Sequence, residues 1–425
     1  TQGYSSAASD VYKRQFINYI LQYKCGEICE VDIMDIKKCT GLAGEPRDYY
    51  LYPKAEPPYE QSDYIEEVLL DRFRYHSGEG DMWPMTWAKD GCMYCGAGDN
   101  KGCPTNIWKL TTMRYAPEAL TNTGNWSMDM INSEPADLKK YMKDEQIQGV
   151  KPSGLLDIDG KLYLSMEAQN YGDNPYFGRQ HNLYGWILMS DNGGKTFDAA
   201  ATETEFFTGR LASCHFLQFG RGYEGARDEY VYAYFPYDEE DGQSYWENND
   251  AILLGRVPKE KLLDRSAWKF FCSEDPEKPE WDSDEQKAQP VFRYRKMTGS
   301  DHVAYNAGLG RYILGNYSFV DEELHPRPIH QMGYPESHLS QLTLYEAPEP
   351  WGPWKLFHRD DDWGTYGDYQ PNFPTQWMTE DGRIMYLVSS GSWDDYNLTV
   401  QKMAVKIKGD ENFSEKARYF SYLKK

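Results

Sequence analysis

Apolar and polar positions along this chain fall into short runs, and one arrangement of them recurs. An apolar run is followed by a tight glycine-containing turn and then by a second run rich in Tyr, Val, Ile or Leu. It occurs as MTWAKDGCMYC around Asp90, SGLLDIDGKLYLS around Asp159, GYEGARDEYVYAYF around Asp228, VAYNAGLGRYILGN around Leu309 and PTQWMTEDGRIMYLVSS around Asp381. Three of these turns carry Asp-Gly, a pair that tolerates the positive φ of primed hairpin turns. The turn centres are 69, 69, 81 and 72 residues apart, which leaves room for two further strands per unit. A sandwich would place its turns closer together, and βαβ units would put helical periods between the strands. The pattern therefore predicts an all-β fold, a five-bladed β-propeller of four-stranded antiparallel blades, with only short helical turns such as 257–265.

A further turn motif supports this expectation. Ser190-Asp191-Asn192-Gly193-Gly194-Lys195-Thr196-Phe197 resembles the Asp-box of sialidase-like propellers, with Asn192 in the usual aspartate position. Ser190, Asp191, Asn192, Gly194, Thr196 and Phe197 are assigned a structural role there. Short polar side chains bond backbone across the turn while the aromatic packs beneath.

Composition narrows the function. Of 425 residues, 45 are Lys or Arg and 67 Asp or Glu, for a formal charge of −22. A field of that sign repels polyanions, so nucleic acid is not an expected partner. No apolar run is long enough to span a membrane, and the mean hydropathy is −0.78. Thr1 to Gln15 lacks periodicity and resembles translated adapter read-through. It is set aside as a non-native tail, leaving 16–425 as one propeller domain. A signal peptide is then unreadable, and a secreted, periplasmic or cell-surface location is inferred from function alone. Eight cysteines include Cys92, Cys95 and Cys103 close together. On a strand the first two would face opposite ways, so they are read as buried thiols or an incidental disulfide, and no metal site is assigned.

In a propeller the inner strands surround an axial channel, so positions equally far from each turn converge at one end. Eight or nine residues either side of the first turn stand Asp81 and Asp99, expected to oppose one another across the strand pair. Directly opposed residues have Cβ atoms roughly 5 Å apart. Two carboxyls that close repel unless one keeps its proton, an arrangement suited to acid/base hydrolysis. Equivalent positions supply Lys151 and the third carboxyl Glu167 in the second unit, Asp301, His302 and Asn316 in the fourth, and Asn372 in the fifth. His215 joins them if the longer third turn shifts its register. Trp83, Tyr171, Tyr176, Tyr305, Trp363, Tyr366 and Tyr369 lie near, and 15% of the chain is aromatic. Such rings stack on sugars, so a polysaccharide or oligosaccharide is the expected partner of what is expected to be a monomer.

The segments GDMWPMTWAKDGCMYCGAGDN, KPSGLLDIDGKLYL, FGRGYEGARDEYVYAYFP, LLGRVPKEKLLDRSAWKFF, AYNAGLGRYILGNY and LYEAPEPWGPWKLF, in this order from about Glu79 to Val405, resemble a bacterial family of five-bladed propellers of unknown function. That family includes endo-D-arabinanases, which cut the D-arabinan of mycobacterial cell-wall glycans. The resemblance implies a glycoside hydrolase whose catalytic aspartates are Asp81 and Asp99. The chain departs from the family pattern in an Asn170–Asn182 insertion carrying Arg179 and His181, and in a Val320–His338 insertion with His325, His330 and His338. Arg179, with Trp83, Lys151, His215, Asp301, His302, Tyr305, Asn316 and Asn372, is an expected substrate contact. A polysaccharide lyase using Tyr305 or His302 as base, and an inert glycan- or protein-binding propeller, are the alternatives. A sialidase would need an arginine cluster where the inner positions here are acidic. No cofactor is required, although the carboxylates would suit a structural calcium on the axis.

Overall fold

In the computed structural model the described residues are 50–411 and 413, apart from 101–102, 113–125, 134–145, 171–179, 301, 322–324, 327–338, 365–367 and 391–396. The tail Thr1 to Gln15 lies outside them. The strands form five sheets, the five blades of a β-propeller. The first blade runs Met85–Trp87, Met93–Asn100, Cys103–Thr112 and Trp126–Asn132, each strand hydrogen-bonded to the next. The second begins with Gly149–Ile158, Lys161–Asn170 and His181–Ser190. The third begins with His215–Phe216, Tyr230–Tyr237 and Asn249–Pro258, and the fourth with His302–Asn306, Arg311–Asp321 and Leu339–Ala347.

The fifth blade closes the ring. Its strands Tyr369–Asn372, Ile384–Ser390 and Leu398–Ile407 are completed by Ile65–Ser77, paired antiparallel with Val68 opposite Val405. The first strand of the ring is thus the outermost strand of the last blade, and it precedes the stretch that carries the family resemblance. Uniform four-stranded antiparallel blades hold only for the first and fifth. The middle three each gather six strands, and Tyr50–Pro53 runs parallel to Arg311–Asp321. Short segments from the long connections fill edge positions that would otherwise expose unpaired backbone.

The first, second and fourth hairpins form as expected; in the third and fifth the expected first run is a 3₁₀ turn, Arg221–Tyr223 and Thr375–Trp377, and the pairing strand lies earlier, at His215–Phe216 and Tyr369–Asn372. Asp159 and Gly160 take φ of 53° and 88°, the paired positive values of a type I′ turn, which matches the twist of the flanking strands. The inner strand Gly149–Ile158 is buried along its whole length, because neighbouring blades cover both its faces. Approach between blades is close: a Cβ on Gly154 would stand 2.7 Å from the Cys214 carbonyl. Trp186, Phe207, Phe235 and Trp268 fill the space around the second and third blades, while Trp83, Trp377 and Tyr386 pack the first against the fifth. In 257–265 the structure has 3₁₀ turns, Lys259–Lys261 and Arg265–Ala267.

The hairpin turns are laced to each other around the axis. Arg221 of the third unit donates to the Lys89 carbonyl of the first at 2.9 Å, and the Asp159 N–H of the second donates to Gly222 O. Asn306 donates to Gly382 O at 2.9 Å, and Gln376 to Gly91 O at 2.7 Å. These bonds satisfy turn backbone and leave the opposite ends of the hairpins to carry the chemistry.

Candidate active site

At the end away from the turns, the backbone of the first blade is irregular. Met82, Trp83 and Asp99 have φ of 69°, 45° and 51°. Non-glycine residues adopt such values at a cost, and three in one place mark a segment whose side chains are aimed by their surroundings. Asp81 forms a two-bond bridge with Gly98, donating from N–H to Gly98 O at 2.9 Å and accepting from Gly98 N–H at 2.8 Å. The expectation that Asp81 directly opposes Asp99 is therefore one residue out. Gly98 takes the opposing place because a Cβ there would fall 2.2 Å from Asp81 Oδ1 and 3.3 Å from the Lys151 stem.

Asp81 and Asp99 nevertheless share one site, joined by Lys151. The Lys151 ammonium is in ion-pair contact with Asp99 Oδ1, and both side chains are almost wholly enclosed. Asp81 is buried. Tyr369 Oη donates to its Oδ2 at 3.2 Å, while no donor among the described residues meets Oδ1. Burial pushes the Asp81 carboxyl up to about 7; Lys151 opposes the rise and Asp99 adds to it.

Lys151 and Glu167 face each other across the second inner hairpin, as the spacing predicts. Glu167 is fully buried, and desolvation raises it to about 7 against the pull of its hydrogen bonds. Gln169 Nε2 donates to Oε1 at 2.8 Å and the Ser213 hydroxyl meets Oε2. Ser213 Oγ in turn lies 2.8 Å from His215 Nε2, and the His215 ring packs edge-on against His302 with centroids 5.0 Å apart. Burial holds His215 well below the usual histidine range and His302 down to about 4, so both rings are neutral at pH 7. A continuous belt thus runs from the fifth blade through the first, second and third to the fourth.

Other expected contacts fall elsewhere. Trp83 is sealed in the core between the first and fifth blades, its indole N–H held by Gly80 O at 3.1 Å. Tyr305 sits beside the fourth hairpin's turn, paired with Tyr312 at the end opposite the carboxyls. That placement removes it as a sugar contact at this site and as a lyase base. Asn316 donates to Met297 O and Thr343 Oγ1 and accepts from Gly299 N–H. Asn372 accepts from Phe373 N–H at 2.7 Å and pairs with Val388, deeper than Tyr369, which faces Ser390 at the site end. The fifth hairpin is longer than the spacing implies, because Thr375–Trp377 forms a 3₁₀ turn in place of the expected first strand. Trp363 is buried in the core. Arg179, Asp301, Tyr171, Tyr176, Tyr366, His330 and His338 lie outside the described residues. His181 bonds Gln243 Oε1 at 3.2 Å.

Sequence spacing missed three groups. Ser213 has no counterpart position in the other hairpins. The role of Tyr369 as hydrogen-bond donor to Asp81, rather than sugar platform, depends on the longer fifth loop. Gln370, with φ of 52°, is buried, and neither of its amide atoms has a partner among the described residues. Polar side chains of the Asp-box segment bond its own backbone. Ser190 Oγ accepts from Gly194 N–H at 2.9 Å, Asn192 Oδ1 accepts from Thr196 N–H at 3.0 Å, and Phe197 is buried. Asp191 is exposed. Ser190 pairs with Leu162 beside the hairpin turn, so this motif sits at the far end from the carboxyls. Cys92, Cys95, Cys214 and Cys272 are free thiols, and burial raises the Cys95 and Cys214 thiols far above their ordinary range. Among the described residues no group of three or more His, Cys, Asp or Glu is arranged to hold a metal ion, and no helix is long and apolar enough to cross a membrane.

The sequence profile of the domain of unknown function DUF4185 matches residues 84–402. The chain belongs to this family. Its matched region spans all five inner hairpins. No curated protein sequence matches the chain. Among solved structures it is similar to the GH43_1 enzyme of Xanthomonas citri at 13% identity, covering 82% of this chain and 96% of that one with a TM-score of 0.43. It is similar to a glycosyl hydrolase from Bacteroides ovatus at 11% identity, over 82% and 96% of the two chains, TM-score 0.38. An exo-β-1,3-galactanase from Phanerochaete chrysosporium is similar at 8% identity, over 81% and 67%, TM-score 0.40.

Proposed function

We propose that this DUF4185 member is a glycoside hydrolase acting on a polysaccharide, with D-arabinan the substrate that its family resemblance implies. One observation carries the reading. Two carboxyls one register step apart have opposite surroundings: Asp81 is buried, keeps its proton to about pH 7 and has one oxygen that meets no donor among the described residues, whereas Asp99 is an ion-paired carboxylate on Lys151. Acid and base roles separate when environments push two carboxyls apart in this way.

Asp81 is the general acid. Its Oδ1 delivers the proton to the departing glycosidic oxygen, while Tyr369 holds Oδ2 and fixes the carboxyl plane. Asp99 is the base that activates water, or the nucleophile, and Lys151 orients it. Glu167 tunes Lys151 from the opposite strand. Gln370 offers amide groups for sugar hydroxyls, and the neutral His215 and His302 bring no cation for a uronate. The step requires no cofactor. Acting on a polymer places the enzyme in the periplasm, at the cell surface or outside the cell.

The test is reducing-end release across arabinans, galactans and fucans with the native protein, Asp81→Asn and Asp99→Asn, each checked for native folding. Activity on one polymer, abolished by both substitutions, is the expected result. Hydrolysis that survives both refutes the assignment, and saturable glycan binding without product replaces it with a binding module. The anomer first released reports inversion or retention.

A further inference from the structure

Glu167 and His215 are joined by a single hydroxyl, and that hydroxyl restricts their protonation. All three side chains are buried, Ser213 and Glu167 completely. Gln169 donates its amide N–H to Glu167 Oε1, so a proton on Glu167 must sit on Oε2, which faces Ser213. Ser213 has one proton to give and lies between Oε2 and His215 Nε2. It can donate to one neighbour only and must accept from the other. With His215 neutral, two arrangements satisfy Oε2, the Ser213 hydroxyl and Nε2 together. In one, Glu167 is protonated and donates to Ser213, Ser213 donates to a bare Nε2, and His215 carries its proton on Nδ1. In the other, Glu167 is ionised, Ser213 donates to it, and His215 carries its proton on Nε2, leaving Nδ1 bare.

We propose that Glu167, Ser213 and His215 form a proton relay in which the charge on Glu167 and the tautomer of His215 change together. Conversion balances: when Nδ1 releases its proton, Nε2 takes the Ser213 proton and Ser213 takes that of Glu167, so one proton leaves at Nδ1 and the carboxyl ends charged. His215 Nδ1 is buried and has no partner among the described residues, so the proton exchanged there is given to and taken from solvent. The titratable groups around the relay are Lys151 across the hairpin from Glu167, with Asp99 and Asp81 beyond it, the Cys214 thiol, and His302 against the His215 ring.

The relay acts on the active site through Lys151 and rests, in that part, on the hydrolase reading. While Glu167 is neutral, Lys151 is committed to Asp99. When Glu167 ionises, a second carboxylate competes for the ammonium and loosens Asp99. Ser213 is thus a positioning residue. Because its hydroxyl favours the ionised form of Glu167, its removal keeps Glu167 neutral to higher pH.

The test reads the His215 ring nitrogens by ¹⁵N NMR between pH 5 and 9, without substrate, in protein labelled at histidine and with His215→Gln to assign the signals. The native protein should exchange Nδ1–H for Nε2–H near pH 7 without forming imidazolium. Glu167→Gln should hold Nδ1–H throughout, because its amide donates to Ser213 permanently. Ser213→Ala should abolish the coupled change and Ser213→Thr should restore it. In hydrolysis, Ser213→Ala should move the alkaline limb of kcat to higher pH and leave KM unchanged. A native tautomer that is constant over this range, or a switch that persists in Ser213→Ala, overturns the relay. Absence of hydrolysis with the switch intact would remove the hydrolase reading and leave the relay standing.

Discussion

Replacing Asp81 by Asn tests the general-acid assignment through stability, independently of any substrate. The folded protein holds the Asp81 carboxyl at about 7 against an ordinary 3.8. One pH unit corresponds to ~1.4 kcal/mol, so ionising this group in the fold costs ~4 kcal/mol more than in the unfolded chain. The sign follows from linkage. Between the two values the folded state binds the extra proton, so its contribution is fully present below about pH 4 and is lost as pH rises through 7. Roughly 3 kcal/mol of the loss falls between pH 5 and pH 8. Asn is neutral at every pH, nearly the same shape, and still accepts from Tyr369. The stability of Asp81→Asn relative to native should therefore rise by ~3 kcal/mol from pH 5 to pH 8, measured by urea unfolding at both. Glu167 titrates in the same window in both proteins, so the difference isolates Asp81. If the relative stability is the same at the two pH values, Asp81 is not a neutral acid at pH 7 and the assignment falls.

Tyr369→Phe removes the hydroxyl that favours ionised Asp81, so the alkaline limb of hydrolysis should move to higher pH, and an unmoved limb would show that Tyr369 does not act on the acid. Gly98→Ala sets a methyl 2.2 Å from Asp81 Oδ1, a flexible carboxyl end that can swing aside. Unfolding should change by less than ~1 kcal/mol while kcat falls at least tenfold; thermal melts and initial rates separate the two. Asn192→Ala in the Asp-box removes one backbone-capping acceptor at the far end. It should cost ~1 kcal/mol in urea unfolding and leave kcat and KM unchanged.

The fold was legible because its signal is local and repeated. Asp-Gly turns declare three of the hairpins within a few residues, and five glycine-containing turns at near-constant spacing imply a ring. Closure by Ile65–Ser77 was not legible, since pairing across more than 300 residues leaves no local mark. The same distinction divides the site. Lys151 and Glu167 stand equally far from Asp159 and do face each other, but only because a bulge between Pro152 and Gly154 shifts by one residue the register that the two-residue turn sets with Ile158 opposite Lys161. Asp81 and Asp99 were placed one step out, because Gly98 takes the bridge and Asp99 turns out of the extended region at φ 51°. Tyr305 and Trp83 were misplaced because aromatic residues serve core and site alike. Ser213 was invisible, since a serine on an irregular approach to a two-residue strand follows no periodicity.

The same belt changes what the formal charge of −22 means near neutral pH. That count takes every carboxyl as ionised. Around Lys151 three acids, Asp81, Asp99 and Glu167, surround one ammonium, and full ionisation would leave two uncompensated negative charges in an enclosed space. Burying unpaired charge costs several kcal/mol per ion, far more than retaining a proton at pH 7. The cluster therefore keeps one charged carboxylate, Asp99, for its one cation, and holds Asp81 and Glu167 near half-protonation, both at about 7. A site built this way takes up or gives away a proton with little change in free energy. Acid/base cleavage of a neutral glycan requires that property, whereas an inert binding face would have no use for it.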